Sequence, residues 1–136
     1  MQPCDELKKL VLQNYAKEGE GEVMEVVETY SRQEGVTVLG TDPKEWFEGY
    51  DAICKFYAPV GASKLEVNVD VLKAYYEGNV GWTIDRVTVR FPNGDILPLR
   101  HTRIFEKEKD GWMIVHNHVS LAIPDEQVDK LFSMQH

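Results

Sequence analysis

Two histidines alternate along the run "GWMIVHNHVS" near the end of the chain. Because successive side chains of a strand point to opposite faces, His116, His118 and Ser120 are predicted to share one face. With His101 from the preceding strand, they match a three-histidine metal site in outline. Two other interpretations stay open: a histidine can line a pocket as a donor or proton shuttle, or it can be hydrogen-bonded structurally within the core.

Two arginines on the neighbouring strands argue against the metal. If "PNGD" forms a two-residue turn, Arg86 lies opposite His101 and Arg103 lies opposite Ile84, on the face that carries the histidines. A four-residue loop keeps this parity, whereas a three-residue loop with a bulge inverts it. Two positive charges ~4 Å from a metal ion would each cost about 4 kcal/mol. We therefore expect no metal, with one histidine of the H-x-H pair structural and the other facing a pocket.

The predicted face is mostly apolar and aromatic around the two arginines. Its members are Val67, Val69, Val71, Tyr75, Trp82, Ile84, Arg86, His101, Arg103, Phe105, Ile114, His116, His118 and Ser120. Val87, Ile104 and Val115 lie among polar residues on the opposite face, which suggests partial burial there, as in a dimer. Buried arginines require either internal carboxylates or an anionic ligand, and composition alone favours neither.

Helical spacing dominates the first third of the chain. Apolar residues recur from Leu7 to Tyr15, with Asp5 as the predicted N-cap, and again over residues 23–30. A β-branched run at 36–39 predicts a short strand. "TDPKEW" then predicts a helix that begins at Thr41 or Asp42 and continues along the face of Ile53, Phe56 and Tyr57.

Period-two alternation takes over after the loop "APVGAS". It predicts four antiparallel strands over residues 65–71, 80–91, 96–107 and 112–122, followed by a short helix that opens near Pro124. Residues 134–136 are predicted to be disordered. Helices packed on one face of an antiparallel meander define an α+β fold.

The bulk composition narrows the function. A chain of 136 residues fits one domain, 1–136, and its formal charge of -8 argues against nucleic acid. No polybasic segment, apolar membrane span or signal-peptide core is apparent, and no cofactor motif is present. Cys4 and Cys54 match no metal or redox spacing, so we expect free thiols, a cytoplasmic location, and no cofactor or membrane partner.

Two segments carry a family resemblance. "TDPKEWFEGYDAICKFY" and "HTRIFEKEKDGWMIVHNHVS" resemble the SnoaL-like branch of the nuclear transport factor 2-like superfamily, and the second is similar to the closing hairpin of the calcium/calmodulin-dependent kinase association domain. The resemblance implies a cystatin-like cone, in which a curved antiparallel sheet wraps around two to three helices and encloses a pocket. It also implies a homodimer formed through the sheet. In the association domain the arginine of the "TR" pair lines the pocket; Arg103 occupies that position, and a second pocket arginine falls near Arg86.

Ketosteroid isomerases belong to the same superfamily. They use a tyrosine of the first helix and an aspartate after the first strand, and Tyr15 and Asp42 occupy roughly those places. Asp42 stands later than the isomerase base, however, and no second carboxylic acid is visible to complete an oxyanion hole. An N-capping role explains Asp42 fully and is favoured over a role as the base.

Three functions follow from these residues. The first is a dimeric protein that binds a small organic acid, with Arg86 and Arg103 as anion clamps, histidines in the floor, and Trp82 and Tyr75 as walls. The second is an isomerase, dehydratase or cyclase that uses Asp42 or a histidine as the base and Tyr15 as a donor. The third is an assembly module with a vestigial pocket, in which the face of Val87, Ile104 and Val115 is the functional surface.

Overall fold

The computed structural model describes residues 1–62 and 64–133 and has the expected α+β architecture. Residues 134–136, predicted to be disordered, and Ser63 of the predicted loop lie outside the described residues. The helices are α1 (Asp5–Glu20), α2 (Val23–Val27), α3 (Tyr50–Tyr57) and α4 (Asp125–Ser133), and a 3₁₀ helix spans Ala58–Ala62. The strands are β1 (Gln2–Pro3), β2 (Thr37–Leu39), β3 (Trp46–Glu48), β4 (Glu66–Glu77), β5 (Val80–Arg90), β6 (Ile96–Glu108) and β7 (Gly111–Ser120).

The strands form one seven-stranded sheet in the order β1-β4-β5-β6-β7-β2-β3. The predicted four-strand meander is confirmed as β4 to β7. The short strand predicted at 36–39 is confirmed as β2, which joins β7 in parallel, whereas β1 and β3 were not predicted. Helices α1, α2 and α3 pack around the inner face of the sheet, so the core lies between helices and sheet. None of the helices in the described ranges is long and apolar enough to cross a membrane.

Helix α1 buries Leu7, Val11 and Tyr15, which recur every four residues and so line one side of the helix. The predicted cap at Asp5 is wrong by one position. Cys4 is the N-cap and makes no side-chain bond, while Asp5 lies in the first helical turn. A carboxylate there still favours the helix, because it faces the positive end of the helix dipole.

The helix predicted to begin in "TDPKEW" is replaced by a tight reversal and a strand. The Asp42 carboxylate accepts a hydrogen bond from the Lys44 backbone N–H (2.8 Å), and the Gly40 N–H donates to the Glu45 carbonyl (2.8 Å). The chain then forms β3, and α3 begins only after Gly49, whose φ of 92° favours glycine. The aspartate caps a turn, which is the other common use of this side chain.

The hairpin between β5 and β6 has a three-residue loop, so the predicted two-residue turn at "NG" is wrong. Phe91 pairs with Asp95, and Gly94 follows a tight turn with φ 92°. Asp85 is therefore the partner of His101, and Thr83 is the partner of Arg103. This one-residue change places Arg86 on the outer face of the sheet and Arg103 on the inner face.

Two β-bulges account for the remaining differences between the predicted face and the structure. One separates His116 from Ile114, so that Arg103 pairs with Asn117 while His116 and His118 point outward. The other lies between Val69 and Val71 and turns Val67 and Val69 inward. The prediction that Val71, Tyr75, Trp82, Ile84 and Arg86 share a face is confirmed; that face is the outer one.

The predicted terminal helix is confirmed as α4. Its apolar residues do not reach the core, since Leu131 and Phe132 are exposed. Val87 also departs from prediction: it was expected on the mixed face with Ile104, and it is fully buried on the inner face.

Candidate functional site

A cavity of about 190 Å³ lies between α1, α3 and the inner face of the sheet. Its walls are mostly apolar, from residues of β2, α3, the following 3₁₀ helix, the segment before β4, and the hairpin strands β5 to β7. They include Phe56, Val60, Leu65, Val89, Leu97, Leu99 and Val119. Polar groups are confined to a few positions. A pocket with apolar walls and few polar groups is the usual form of a small-molecule site.

One end of the cavity is floored by a buried ion pair. The Arg103 guanidinium donates from Nη1 to Asp85 Oδ2 (2.6 Å) and from Nη2 to the Tyr15 hydroxyl oxygen (2.9 Å). Tyr15 in turn donates its own proton to Asp85 Oδ2 (2.7 Å). His101 Nδ1 lies 2.9 Å from Asp85 Oδ1. The charge of Arg103 is thus neutralised within the protein.

The protonation states in this cluster follow from burial and charge. Burial alone would raise the pKa of Asp85, but the hydrogen bond from His101 and the charge of Arg103 hold it below its ordinary value. Burial lowers the pKa of His101 and raises that of Tyr15. Asp85 is therefore ionised and accepts only, which assigns the His101 proton to Nδ1 and leaves Nε2 as an acceptor.

Glu18 lines the cavity without joining this cluster. It follows Tyr15 by one helical turn, lines the same cavity and is half-buried. Its carboxyl has no hydrogen-bond or ion-pair partner among residues 1–62 and 64–133. Burial raises the pKa of Glu18 to about 7, and the charge of Arg103 opposes this only in part. Both protonation states are consequently populated near neutral pH.

Asn117 contributes a further polar side chain to the cavity. Its Nδ2 donates to the Tyr30 hydroxyl (3.0 Å), which lies 2.8 Å from the Tyr57 hydroxyl. Its Oδ1 is buried and has no partner in the described part of the chain. A buried acceptor without a donor costs free energy. Asn117 Oδ1 has almost no accessible surface, so a ligand reaches it only if the side chain shifts.

Of the predicted site residues, the structure brings three together: Tyr15, His101 and Arg103 all line the cavity. Asp42 does not, since it is exposed and its carboxylate is engaged by Lys44 N–H. The prediction that Asp42 faces the pocket as a base is therefore wrong.

The remaining predicted residues lie on the outer face of the sheet. These are Arg86, Trp82, Tyr75, His116 and His118. Neither histidine of the H-x-H pair faces the cavity, contrary to prediction: His116 Nδ1 lies 2.7 Å from Thr37 Oγ1, and His118 is exposed. The anion clamp of Arg86 with Arg103 does not form, because the sheet separates the two side chains.

Arg86 instead lies directly opposite Arg100 on the outer face. With Lys73, His118 and Ser120 they line an open cleft of about 570 Å³. Within the described residues, neither arginine has a carboxylate within ion-pair distance. Like charges directly opposite one another weaken a strand pair.

The three-histidine metal site is likewise not formed, because His101 is on the inner face and the other two are outside. Across residues 1–62 and 64–133, no group of three or more His, Cys, Asp and Glu side chains is placed to hold a metal ion.

Two cavity residues, Glu18 and Asn117, were missed from the sequence, as was Asp85 of the ion pair beneath the cavity. Asp85 was assigned to the opposite face by the same loop error that brought Arg86 inside, and Asn117 by the missed bulge before His116. Glu18 carried a usable signal, because its i, i+3 spacing from Tyr15 places both side chains on one side of α1.

Residues 10–124 match the family model described as the SnoaL-like domain. The chain belongs to the SnoaL-like family. The predicted membership of the nuclear transport factor 2-like superfamily is thereby confirmed. A comparison with curated proteins found no match to this SnoaL-like chain.

Solved structures with the same fold support this assignment. A nuclear transport factor 2-like protein of unknown function from Pseudomonas putida is 12% identical, with a TM-score of 0.79 over 90% of this chain and 88% of its own. A candidate calcium/calmodulin-dependent protein kinase II association domain from Xanthomonas campestris is 18% identical, with a TM-score of 0.72 over 86% of each chain. A candidate ketosteroid isomerase from Parabacteroides distasonis is 14% identical, with a TM-score of 0.67 over 83% of this chain and 86% of its own. At these identities the likeness establishes the fold of the SnoaL-like chain, and its function depends on its own site.

Proposed function

We propose that this SnoaL-like protein binds a small, mainly apolar molecule in the inner cavity. The observation that supports this most directly is the cavity itself, with apolar walls, about 190 Å³ of space and a polar floor. An apolar cavity of roughly 150 Å³ in another protein accepts benzene. A ligand built on a single ring therefore fits the available space.

The ligand is not an anion in this proposal. The expected organic acid depended on two arginines pointing into one enclosure, and the sheet places them on opposite sides. The arginine that remains, Arg103, already pairs with Asp85 at 2.6 Å. The unpaired charge that the cavity can carry belongs to Glu18, which would repel a carboxylate.

Thermal unfolding with matched single-ring compounds tests this function. Benzyl alcohol and benzamide are expected to raise the melting temperature more than benzoate does, with a gain of about 2.7 kcal/mol at a hundredfold excess over Kd. Leu99→Trp, which fills the cavity, should lose the response, and the exposed Leu12→Trp should keep it. If no neutral compound gives a shift that Leu99→Trp removes, the cavity is not a binding site.

An enzyme of the isomerase or dehydratase type is the second candidate, and one observation favours it. Glu18 has a pKa raised by burial to about 7, which is the range in which a carboxyl works efficiently as a general acid or base. Glu18 replaces Asp42 as the candidate base. The structural neighbour described as a candidate ketosteroid isomerase is consistent with this proposal.

Base catalysis is tested with 5-nitrobenzisoxazole, whose ring opens when a base removes one carbon-bound proton. The C–H electron pair forms a nitrile as the N–O bond breaks to give a phenolate. The protein should accelerate this reaction with an inflection near pH 7, and Glu18→Gln should abolish the acceleration while Asp42→Asn retains it. An equal rate in Glu18→Gln would exclude the carboxyl as the base.

The protein is also proposed to form a homodimer through the outer face of the sheet. Ile84 and Ile104 are 47% and 39% exposed there, beside Trp82 and Tyr75, whose rings lie 6.3 Å apart. Exposed apolar side chains grouped on one face are typical of an interface. Sedimentation velocity should show a dimer that Ile84→Glu dissociates. Leu12→Glu is the matched control, since Leu12 is equally exposed on α1; a monomer at every concentration would rule the dimer out.

A cytoplasmic location is proposed from the cysteines. Cys4 is buried, Cys54 is half-buried, and both are free thiols. Free thiols persist in reducing compartments, whereas secreted proteins tend to oxidise them. Cell fractionation measures this directly, and recovery from an oxidising compartment would contradict it.

A further inference from the structure

The polar groups that the cavity leaves without partners are acceptors. The Glu18 carboxyl and Asn117 Oδ1 have no donor in the described part of the chain. The ring nitrogen His101 Nε2 is a third acceptor, because the Nδ1 proton is used on Asp85. All three residues line the same cavity. A ligand that complements them supplies N–H or O–H donors.

Titratable and charged groups surround Glu18 on every element that faces the cavity. They are Tyr15 on its own helix, Tyr57 on α3, Glu45 before β3, Asp85 on β5, and His101 and Arg103 on β6. The Glu45 carboxyl already has a donor, since its Oε1 accepts a hydrogen bond from the Asp42 backbone N–H at 2.8 Å. The positive charge of Arg103 is cancelled by Asp85 at 2.6 Å. Ionisation of Glu18 therefore adds a negative charge that no cation among the described cavity residues pairs with.

We propose that the cavity selects a protonated amine on a single-ring body, with Glu18 as its counter-ion. An ammonium group carries three N–H donors and can pair directly with the Glu18 carboxylate. A cation paired with the buried carboxylate also removes the cost of an unpaired charge. This specificity rests on the proposed binding function and is opposite in sign to the anion expected from the sequence.

Proton linkage gives the selection a distinct signature. Glu18 must be ionised to pair with the amine, so amine affinity rises with pH up to the pKa of Glu18, about 7, and then levels off. Below that pH the affinity falls by up to about tenfold per unit. A neutral alcohol of the same shape has no such dependence.

Calorimetric titration with benzylamine and benzyl alcohol tests the proposal. At about pH 8 the amine should bind the wild-type protein about tenfold more tightly or better, as a charge-assisted hydrogen bond of this kind provides. Glu18→Gln should reduce the ratio of the two affinities to about one. Glu20→Gln is the matched control, because Glu20 lies on the same helix as Glu18 but is exposed outside the cavity.

The outcomes distinguish failure of the amine specificity from failure of the proposed binding function. If benzyl alcohol binds and the amine has no advantage, or if Glu18→Gln keeps the advantage, the amine specificity is wrong and the binding function stands. If neither compound binds the wild-type protein, both proposals fail. Circular dichroism and thermal unfolding of each variant establish that it is folded before it is compared.

Discussion

The two faces of the central sheet place arginine side chains in different environments. On the inner face, Arg103 is buried and bonded to Asp85 and Tyr15. On the outer face, Arg86 faces Arg100 and has no acidic partner among the described residues. The same side chain is thus an anchored structural ion on one face and an open surface charge on the other. The register of a strand decides the role, and residue type alone does not.

The largest contrast is expected from removal of the inner counter-ion. Asp85→Asn leaves Arg103 buried without a carboxylate and should cost about 3–5 kcal/mol of unfolding free energy. Arg86→Met on the outer face should change it by less than about 0.5 kcal/mol. Urea denaturation measures both.

A double variant guards against failure of Asp85→Asn to fold. Asp85→Leu with Arg103→Met replaces the pair by apolar groups and should be more stable than Asp85→Asn, because no buried charge is left unpaired. Near-equal stabilities of Asp85→Asn and Arg86→Met would erase the difference between the two faces.

Glu18 should make the free energy of unfolding depend on pH. Its pKa is raised from 4.5 to about 7 in the folded protein, so the native state binds more protons than the unfolded state between these values. Stability from this group is therefore fully present at low pH and is lost as pH rises to about 7, on the order of 3 kcal/mol in total. The free-energy difference between Glu18→Gln and wild type should grow in favour of the variant over this range. A difference that does not change with pH would show that Glu18 is not desolvated.

Hydroxyl removal compares a bonded tyrosine with a free one. Tyr15→Phe takes away a group that bonds Asp85 and Arg103, and it should cost about 1–3 kcal/mol. Tyr75→Phe on the outer face should be nearly neutral, since no hydrogen bond to its hydroxyl occurs in the described residues. Thermal denaturation of the two variants side by side is the measurement, and similar losses would contradict the structure of the inner cluster.

The smallest effect is expected on the outer face. Arg86→Glu places an acid opposite Arg100 and should stabilise the monomer by about 0.2–1 kcal/mol. The gain should shrink at high salt, because the pair is exposed. Denaturation at low protein concentration, with and without added salt, measures it; destabilisation at low salt would mean that an unseen anion already occupies the cleft.

Periodicity in the sequence predicted most of the elements of the fold. Strands β4 to β7, helix α1 and the terminal helix α4 follow from apolar spacing, which local physics determines. The segment "TDPKEW" was assigned to the wrong element, because an aspartate followed by proline suits a helix cap and a turn equally well. Which of the two forms depends on the pairing of β3 with β2, and that is a tertiary contact.

The site was predictable only in part, because a cavity depends on absolute register. Tyr15, His101 and Arg103 were named correctly as cavity residues, with help from the family resemblance. Asp85 and Asn117 were assigned to the wrong side of the sheet by a hairpin loop one residue longer than expected and by a bulge at Val115. Bulges of this kind leave little trace in periodicity, since they insert a residue without changing the strand's composition.

The loop between Phe91 and Asp95 therefore determines which side chains of β6 face the core. Substitutions within residues 92–94 alter a surface turn and leave the odd-numbered positions of β6 inside. A turn that closed instead between Pro92 and Asp95 would exchange interior and exterior along β6, pair Asp85 with Thr102 in place of His101, and turn Arg103 to the outer face. Insertion of two residues into the loop would leave the same side chains of β6 facing inward. For this protein, the pair of residues that closes this exposed turn matters more than the types of residue within it.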